Sequence, residues 1–131
     1  GARAWWMLDL ARAEQAMARL VRASEDPALV DDLAEAGVVF EVCPGSNIAL
    51  GIYPDIRSHP IERLRERGAK VTVSTDDPPF FHTTMTREFE MLAQGFGWDE
   101  SDFDWLNRTA LAAAFCDEAT RETVGKRLDR R

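Results

Sequence analysis

Val38-Val39-Phe40-Glu41-Val42 and Lys70-Val71-Thr72-Val73-Ser74-Thr75 are the two segments that decide the fold. Both are short and rich in β-branched residues, and a proline follows each of them, at Pro44 and at Pro78. This pattern predicts two β-strands. Apolar and polar residues alternate along both segments, which predicts one apolar face that helices can cover and one polar face.

Predicted helices surround the two strands, because apolar residues recur there at three- and four-residue spacing between Gly and Pro breaks. We expect a loop at Gly45–Ser58 and helices over residues 1–20, Asp26-Pro27 to Gly37, His59-Pro60 to Gly68, Thr84 to Ala93, Asp99 or Ser101 to Phe115, and Asp117 to Leu128. Strands that alternate with helices predict right-handed βαβ connections and a parallel sheet. The predicted fold class is α/β, and the polar strand face suits the interior of a barrel.

The composition is that of one acidic domain. The chain has 131 residues, of which 45% are hydrophobic, and its 16 basic and 23 acidic residues give a net charge of −7. An acidic chain repels phosphate backbones, so we expect no nucleic-acid partner. No run of 18 apolar residues and no signal-peptide pattern is present, so we expect no membrane span. Two cysteines, Cys43 and Cys116, are too few for a disulfide framework, which favours a cytoplasmic location.

The strongest local signal for a functional site is the acidic pair Asp76-Asp77, where the second predicted strand ends. Ligands of α/β folds bind at the carboxyl ends of the strands. Adjacent carboxylates repel each other unless a cation or a ligand rich in hydrogen-bond donors is present. The alternative is structural: one aspartate caps the turn before Pro78. The local pattern gives these two interpretations equal weight.

A weaker signal lies at the end of the first strand, in Cys43-Pro44-Gly45-Ser46-Asn47. Ser46 and Asn47 have the chemistry to bind a polar ligand, but turn chemistry explains them better. Cys43 is interpreted as a small buried residue. His59 is expected to cap or pack a helix, and His82 lies in the loop after the acidic pair, either lining a pocket or exposed.

Several separated motifs together resemble the adenosine deaminase family of metal-dependent amidohydrolases. The resemblance runs from about Val21 to the C-terminus and corresponds to the last third of a family protein. It rests on Glu41-Val42-Cys43-Pro44-Gly45-Ser46-Asn47, Gly51-Ile52-Tyr53-Pro54, His59-Pro60, Val73-Ser74-Thr75-Asp76-Asp77-Pro78-Pro79-Phe80-Phe81, and the tail from Asn107-Arg108-Thr109-Ala110 to Ala114-Phe115-Cys116. The family fold is a (β/α)8 TIM barrel, so the resemblance implies that this chain is one partial domain, residues 1–131, carrying the last two strands of an incomplete barrel.

The resemblance also implies a reaction and roles for the acidic pair. The family removes the exocyclic amine of adenosine or deoxyadenosine by hydrolysis, giving inosine and ammonia, with one Zn²⁺ that activates water. Asp76 matches the zinc ligand that orients the hydroxide, and is therefore the expected metal ligand and catalytic residue. Asp77 matches the residue that accepts a hydrogen bond from the purine. A deaminase acting on adenine or another aminopurine metabolite is the alternative, because related enzymes share these motifs.

The chain departs from the family pattern at its N-terminal end. The His-x-His pair, a third zinc-binding His and the Glu that protonates the ring are expected upstream of this chain. The family's Gly-His-Gly segment has no counterpart in residues 18–23, and residues 1–20 read as a divergent helix. One carboxylate does not make a zinc site, because zinc sites use three or four protein ligands. We therefore expect the isolated chain to be inactive.

Two further functions stay open. In the first, the chain is a non-catalytic remnant that self-associates through exposed apolar surface, with Trp5 and Trp6 at the interface. In the second, the acidic pair binds Mg²⁺ for phosphoryl transfer. The second is the weakest, because the chain has neither a phosphate-binding loop nor a suitably placed Lys.

Overall fold

The structure is a computed structural model and describes residues 24–130. The predicted helix over residues 1–20, with Trp5 and Trp6, lies outside the described residues. In chain order the elements are α1 (Pro27–Glu35), β1 (Val39–Val42), α2 (Pro44–Ala49), a 3-10 turn (Ile56–Ser58), α3 (Ile61–Glu66), β2 (Lys70–Val73), α4 (Pro78–Phe81), α5 (Met85–Phe96), α6 (Glu100–Ala113) and α7 (Glu118–Leu128).

The two strands pair in parallel, as predicted, and form a two-stranded sheet within the described residues. The register places Phe40 opposite Val71 and Val42 opposite Val73. The prediction that the second strand runs to Thr75 is wrong, since β2 ends at Val73. The last backbone hydrogen bond between the two segments joins the N–H of Ser74 to the carbonyl of Val42, 2.9 Å apart. Pairing stops there because β1 ends at Val42.

The apolar strand face lies against the core, as the alternation predicts. Phe40 and Val71 are buried, and Val42 and Val73 are half-buried and pack against the core, whereas Glu41 on the other face is exposed. Helices cover the apolar face because burial of apolar side chains is the main stabilising contribution to folding. The buried apolar residues are Val30, Phe40, Ile61, Leu64, Ala69, Val71, Leu92, Trp98 and Leu106.

Most predicted helix ends are confirmed, because the capping chemistry is local. The Asp26 carboxylate accepts from the N–H groups of Ala28 and Leu29, and Gly37 follows α1 with φ +72°. Asp99 rather than Ser101 caps α6, through a capping box with Asp102.

The predicted loop at Gly45–Ser58 is wrong in part, because it contains α2 and the 3-10 turn. Pro44 occupies the first turn of α2, where a missing N–H is not needed. A similar turn, α4, was not predicted: Pro78 and Pro79 end the strand but also start this helix. α5 reaches Phe96 instead of ending at Ala93, because Gly95 does not interrupt it.

Aromatic and charged side chains hold α6, and Trp98 just before it, against α3. The Arg65 guanidinium lies 4.9 Å from the ring centroid of Trp98 and 5.0 Å from that of Trp105, and it pairs with Asp102. The Trp98 indole N–H donates to Glu62 Oε2 at 2.7 Å. These contacts fix the start of α6 to α3, the helix that precedes β2.

Within residues 24–130, no helix is long and apolar enough to cross a membrane.

Leu92 of α5 tests whether the core holds the chain together. Leu92 is fully buried, so Leu92→Ala should lower the free energy of unfolding by about 2–5 kcal/mol. Leu50→Ala is the control, because Leu50 is 59% exposed and should change stability by less than about 0.5 kcal/mol. Urea unfolding followed by circular dichroism measures both values. Equal effects of the two substitutions would contradict the assigned core.

Candidate active site

The loops after β1 and β2 meet at one edge of the sheet. Ser46, in the first turn of α2, is buried, and its hydroxyl donates a hydrogen bond to Asp76 Oδ2 at 2.8 Å. The contact joins residues 30 positions apart. Parallel pairing produces it, because the carboxyl ends of neighbouring parallel strands lie side by side. The strong sequence signal, Asp76-Asp77, and the weak one, Cys43 to Asn47, therefore belong to one site.

Asp76 has an unusual backbone. Its φ is +59°, in the left-handed region that residues other than glycine rarely adopt, although aspartate tolerates it better than most. Backbone strain of this kind concentrates at functional sites. The Asp76 side chain is exposed, and the buried Ser46 hydroxyl holds one of its oxygens.

Asp77 has the structural role that the sequence left open for one of the two acids. Its Oδ1 accepts a hydrogen bond from the N–H of Phe80 at 3.2 Å and caps α4. Its carboxylate is exposed, and Oδ2 has no hydrogen bond within the described residues. The adjacent carboxylates thus have different partners, which holds Asp76 beside Ser46 and Asp77 at the start of a helix.

His59 holds α2 to the start of α3, and its two ring nitrogens are occupied by hydrogen bonds, so it is not available as a ligand. Its Nδ1 accepts from the N–H of Ile61 at 3.2 Å, so Nε2 carries the proton and donates to Asn47 Oδ1 at 3.0 Å. The Tyr53 ring meets its edge, 4.9 Å between centroids. Burial, with a smaller contribution from the Arg63 charge, lowers the pKa of His59 to about 4. The predicted capping or packing role is confirmed.

Cys43 is half-buried beside the acidic side chains. Burial first, and then the negative charges of Asp76 and Glu41, raise the pKa of the Cys43 thiol to about 11. A thiol with so high a pKa is a poor nucleophile at neutral pH. The interpretation of Cys43 as a small buried residue is confirmed in part, because the side chain is half-buried rather than fully buried.

His82 is exposed at the end of α4, so the exposed-loop alternative describes its side chain. Its φ is +51°, and its backbone carbonyl accepts a hydrogen bond from Arg87 Nη1 at 3.3 Å. With Gly45 and Phe81 it also lines a cleft of about 420 Å³.

Glu88 of α5 is the important residue that the sequence analysis missed. It is fully buried, and its carboxylate accepts hydrogen bonds from the Gly45 N–H at 2.9 Å and from the Thr83 hydroxyl at 2.7 Å. The sequence does contain a signal for its burial, because Glu88 lies four residues before Leu92 and therefore on the same face of α5, the face that packs into the core.

The described residues do not form a metal site by themselves. Between residues 24 and 130, no group of three His, Cys, Asp or Glu side chains is arranged to hold a metal ion. The Asp76 carboxylate is one candidate ligand, whereas zinc sites use three or four protein ligands.

Two parallel strands, with Ser46 after the first and the Asp76-Asp77 pair after the second, are typical of α/β enzymes, whose sites lie at the carboxyl ends of the strands. The sequence model of a family described as adenosine deaminase matches residues 7–131, and the chain belongs to this family. The match extends further toward the N-terminus than the resemblance noted from about Val21, and the boundary of a divergent segment at residue 20 stays a prediction.

The relatives are named adenine deaminases. Those of Rhizobium leguminosarum bv. trifolii and Agrobacterium fabrum are 56% and 53% identical to this chain over 108 residues. The alignments cover 82% of this chain but only 34% and 33% of the relatives, so the chain spans about a third of their length. A solved adenine deaminase from Arthrobacter aurescens has a TM-score of 0.79 at 24% identity, over 84% of this chain and 34% of that one.

The prediction of adenosine or deoxyadenosine as the substrate is contradicted by these relatives. The acidic pair and its flanking motifs led to the correct family but not to the substrate in the relatives' names. The membership in a deaminase family is confirmed, and the α/β fold resembles part of a solved deaminase.

His59 predicts a pH dependence of stability. Its pKa is about 4 in the folded chain against an ordinary 6.5, so between these values the unfolded chain binds a proton that the folded chain does not. Stability should be constant above pH 6.5 and fall as the pH falls toward 4, by about 3 kcal/mol in total. Urea unfolding at several pH values measures it. His59→Gln keeps a neutral side chain and should remove this slope; an unchanged slope would contradict the assignment.

Proposed function

We propose that the chain is the C-terminal part of an adenine deaminase, which hydrolyses the exocyclic amine of adenine and releases ammonia. The observation that carries the proposal is the 53–56% identity to several proteins named adenine deaminase, across the segment that contains the Ser46–Asp76 site. Within this proposal residues 1–131 are one partial domain, with residues 1–20 as a divergent segment.

The proposed architecture is the last two strands of a (β/α)8 barrel. Within the described residues each strand has one partner, so each also has an unpaired edge. Unpaired edges are unfavourable, and barrel closure removes them. The likeness to about a third of a solved adenine deaminase supports this arrangement.

Asp76 and Asp77 are the proposed functional residues. Asp76 is the proposed metal ligand and catalytic residue, because its exposed carboxylate lies at the carboxyl edge of the sheet and is oriented by Ser46. Asp77 is the proposed substrate-binding residue, since its Oδ2 is left to accept a hydrogen bond from a purine N–H. Zn²⁺ is the proposed metal, because carboxylates are competent zinc ligands.

The proposed partner is the small purine substrate, with neither nucleic acid nor membrane, and the proposed location is cytoplasmic. The net charge of −7 supports the exclusion of nucleic acid. The isolated chain is proposed to be inactive, since one carboxylate cannot hold a catalytic metal.

A second candidate, a remnant that self-associates, is favoured by exposed apolar side chains. Phe115 is fully exposed, and Phe80 is 70% exposed. Such exposure is typical of surfaces that contact another protein segment. Sedimentation at several concentrations tests it, and a monomer at all concentrations would exclude it.

A chimera tests the proposed function directly. The matching third of the Rhizobium leguminosarum adenine deaminase is replaced by residues 24–131 of this chain, and ammonia release from adenine and from adenosine is measured. We expect metal-dependent turnover of adenine, and adenosine turnover lower by at least about 10², because a site built for one substrate excludes a bulkier one.

Asp76→Ala and Asp77→Ala in the chimera separate the two roles. Asp76→Ala should abolish turnover and lower the metal content, because a ligand is lost. Asp77→Ala should raise KM for adenine while the metal content stays unchanged. A folded, metal-loaded chimera that turns over neither substrate would contradict the proposed function.

A further inference from the structure

We propose that Glu88 is a positioning residue, which holds the loop after β1 so that the Ser46 hydroxyl orients the Asp76 carboxylate. The catalytic consequence rests on the proposed function, but the structural coupling does not. Glu88 does not touch Asp76 in the hydrogen-bond network, so it acts through the intervening residues.

The first connection runs from Glu88 to the loop after β1. Its Oε2 accepts from the Gly45 N–H at 2.9 Å, and the next residue, Ser46, donates to Asp76 Oδ2 at 2.8 Å. Both Glu88 and Ser46 are buried, so neither has water as an alternative partner. A buried polar group that loses its hydrogen-bond partner costs free energy, so the Gly45 N–H and the Glu88 side chain hold each other in place.

The second connection runs from Glu88 to the segment after the acidic pair. Its Oε1 accepts from the Thr83 hydroxyl at 2.7 Å, and the Thr83 N–H donates to the Pro78 carbonyl in α4, the helix that Asp77 caps. One carboxylate therefore holds the loops that follow both strands. A purely local role in α5 would not require partners on two separate loops.

The glycine at position 45 leaves the space that the Glu88 carboxylate occupies. A Cβ built on Gly45 would lie 2.3 Å from Glu88 Oε1, too close for any real contact. The backbone of Gly45 does not have a positive φ, so the glycine is required for space and not for conformation. Because Glu88 is fully buried, an added Cβ at Gly45 would push its carboxylate out of a packed position.

The chain itself provides the first test, independent of catalysis. In ¹H–¹⁵N NMR spectra, Glu88→Ala should shift the amide resonances of Gly45, Ser46 and also Asp76. Glu88→Gln, which keeps an acceptor oxygen, should restore most of the wild-type positions. Glu66→Ala is the matched control, because Glu66 is an exposed glutamate on α3, and it should leave all three resonances in place.

Two outcomes of this experiment decide the coupling. Shifts that reach Asp76 in Glu88→Ala and also in Ser46→Ala, which breaks the last link directly, support the proposal. Shifts confined to Gly45 and Thr83, with Asp76 unchanged, would overturn it and leave Glu88 a packing residue. If Glu88→Ala fails to fold, Gly45→Ala is used instead, because its added Cβ displaces the same carboxylate. In this variant the Asp76 amide resonance is the readout: a shift supports the proposal, and an unchanged position overturns it.

The chimera provides the second test. Glu88→Ala should lower kcat for adenine about 10- to 100-fold per metal-loaded molecule, the usual effect of losing a residue that orients a ligand, with KM unchanged. Ser46→Ala should have a similar effect, and the double variant should be no worse than either single one. A lower melting temperature with unchanged kcat would overturn the catalytic part. If the unmutated chimera is inactive, the proposed function fails, while the NMR result still decides the coupling.

Discussion

The parallel pairing of β1 with β2 is the constraint on which the site depends. It places Val42 beside Val73, so the loops that leave the two strands begin next to each other. Ser46 and Asp76 become hydrogen-bonded neighbours although 30 positions separate them. An antiparallel pair would have put these loops at opposite ends of the sheet, and neither the serine nor the carboxylate would have a partner.

Below this edge, polar groups are buried only in fully satisfied combinations. No buried side-chain nitrogen or oxygen in residues 24–130 lacks a hydrogen-bond partner. Glu88 accepts from two donors, and each ring nitrogen of His59 has a hydrogen-bond partner. Burial lowers the pKa of His59 to about 4, so its ring is neutral at neutral pH. A buried polar group without a hydrogen-bond partner costs more free energy than an apolar group at the same place. Any loop movement that breaks these hydrogen bonds is therefore unfavourable.

Sequence analysis predicted the parts of the fold that local chemistry determines. The strands, the Asp26 and Asp99 caps and the parallel order follow from residue type and spacing. The short helices α2 and α4 were missed because Pro44 and Pro78 were interpreted only as strand ends, although proline also fits a first helical turn, as at Pro27. Glu88 was missed because its partners, Gly45 and Thr83, are brought to it by tertiary packing.

The difference between local motifs and contacts made by distant residues also explains why the motifs led to the correct family but to the wrong substrate. In the proposed site, Asp76 and Asp77 face the part of the purine that carries the amine, and adenine and adenosine are identical there. The two molecules differ at the ring nitrogen that carries ribose in adenosine. A contact with the shared ring contributes equally to binding both, and specificity is a difference between two affinities. The discriminating contacts must therefore be sought around the opposite side of the ring, where the absence of a sugar leaves space that the protein can fill.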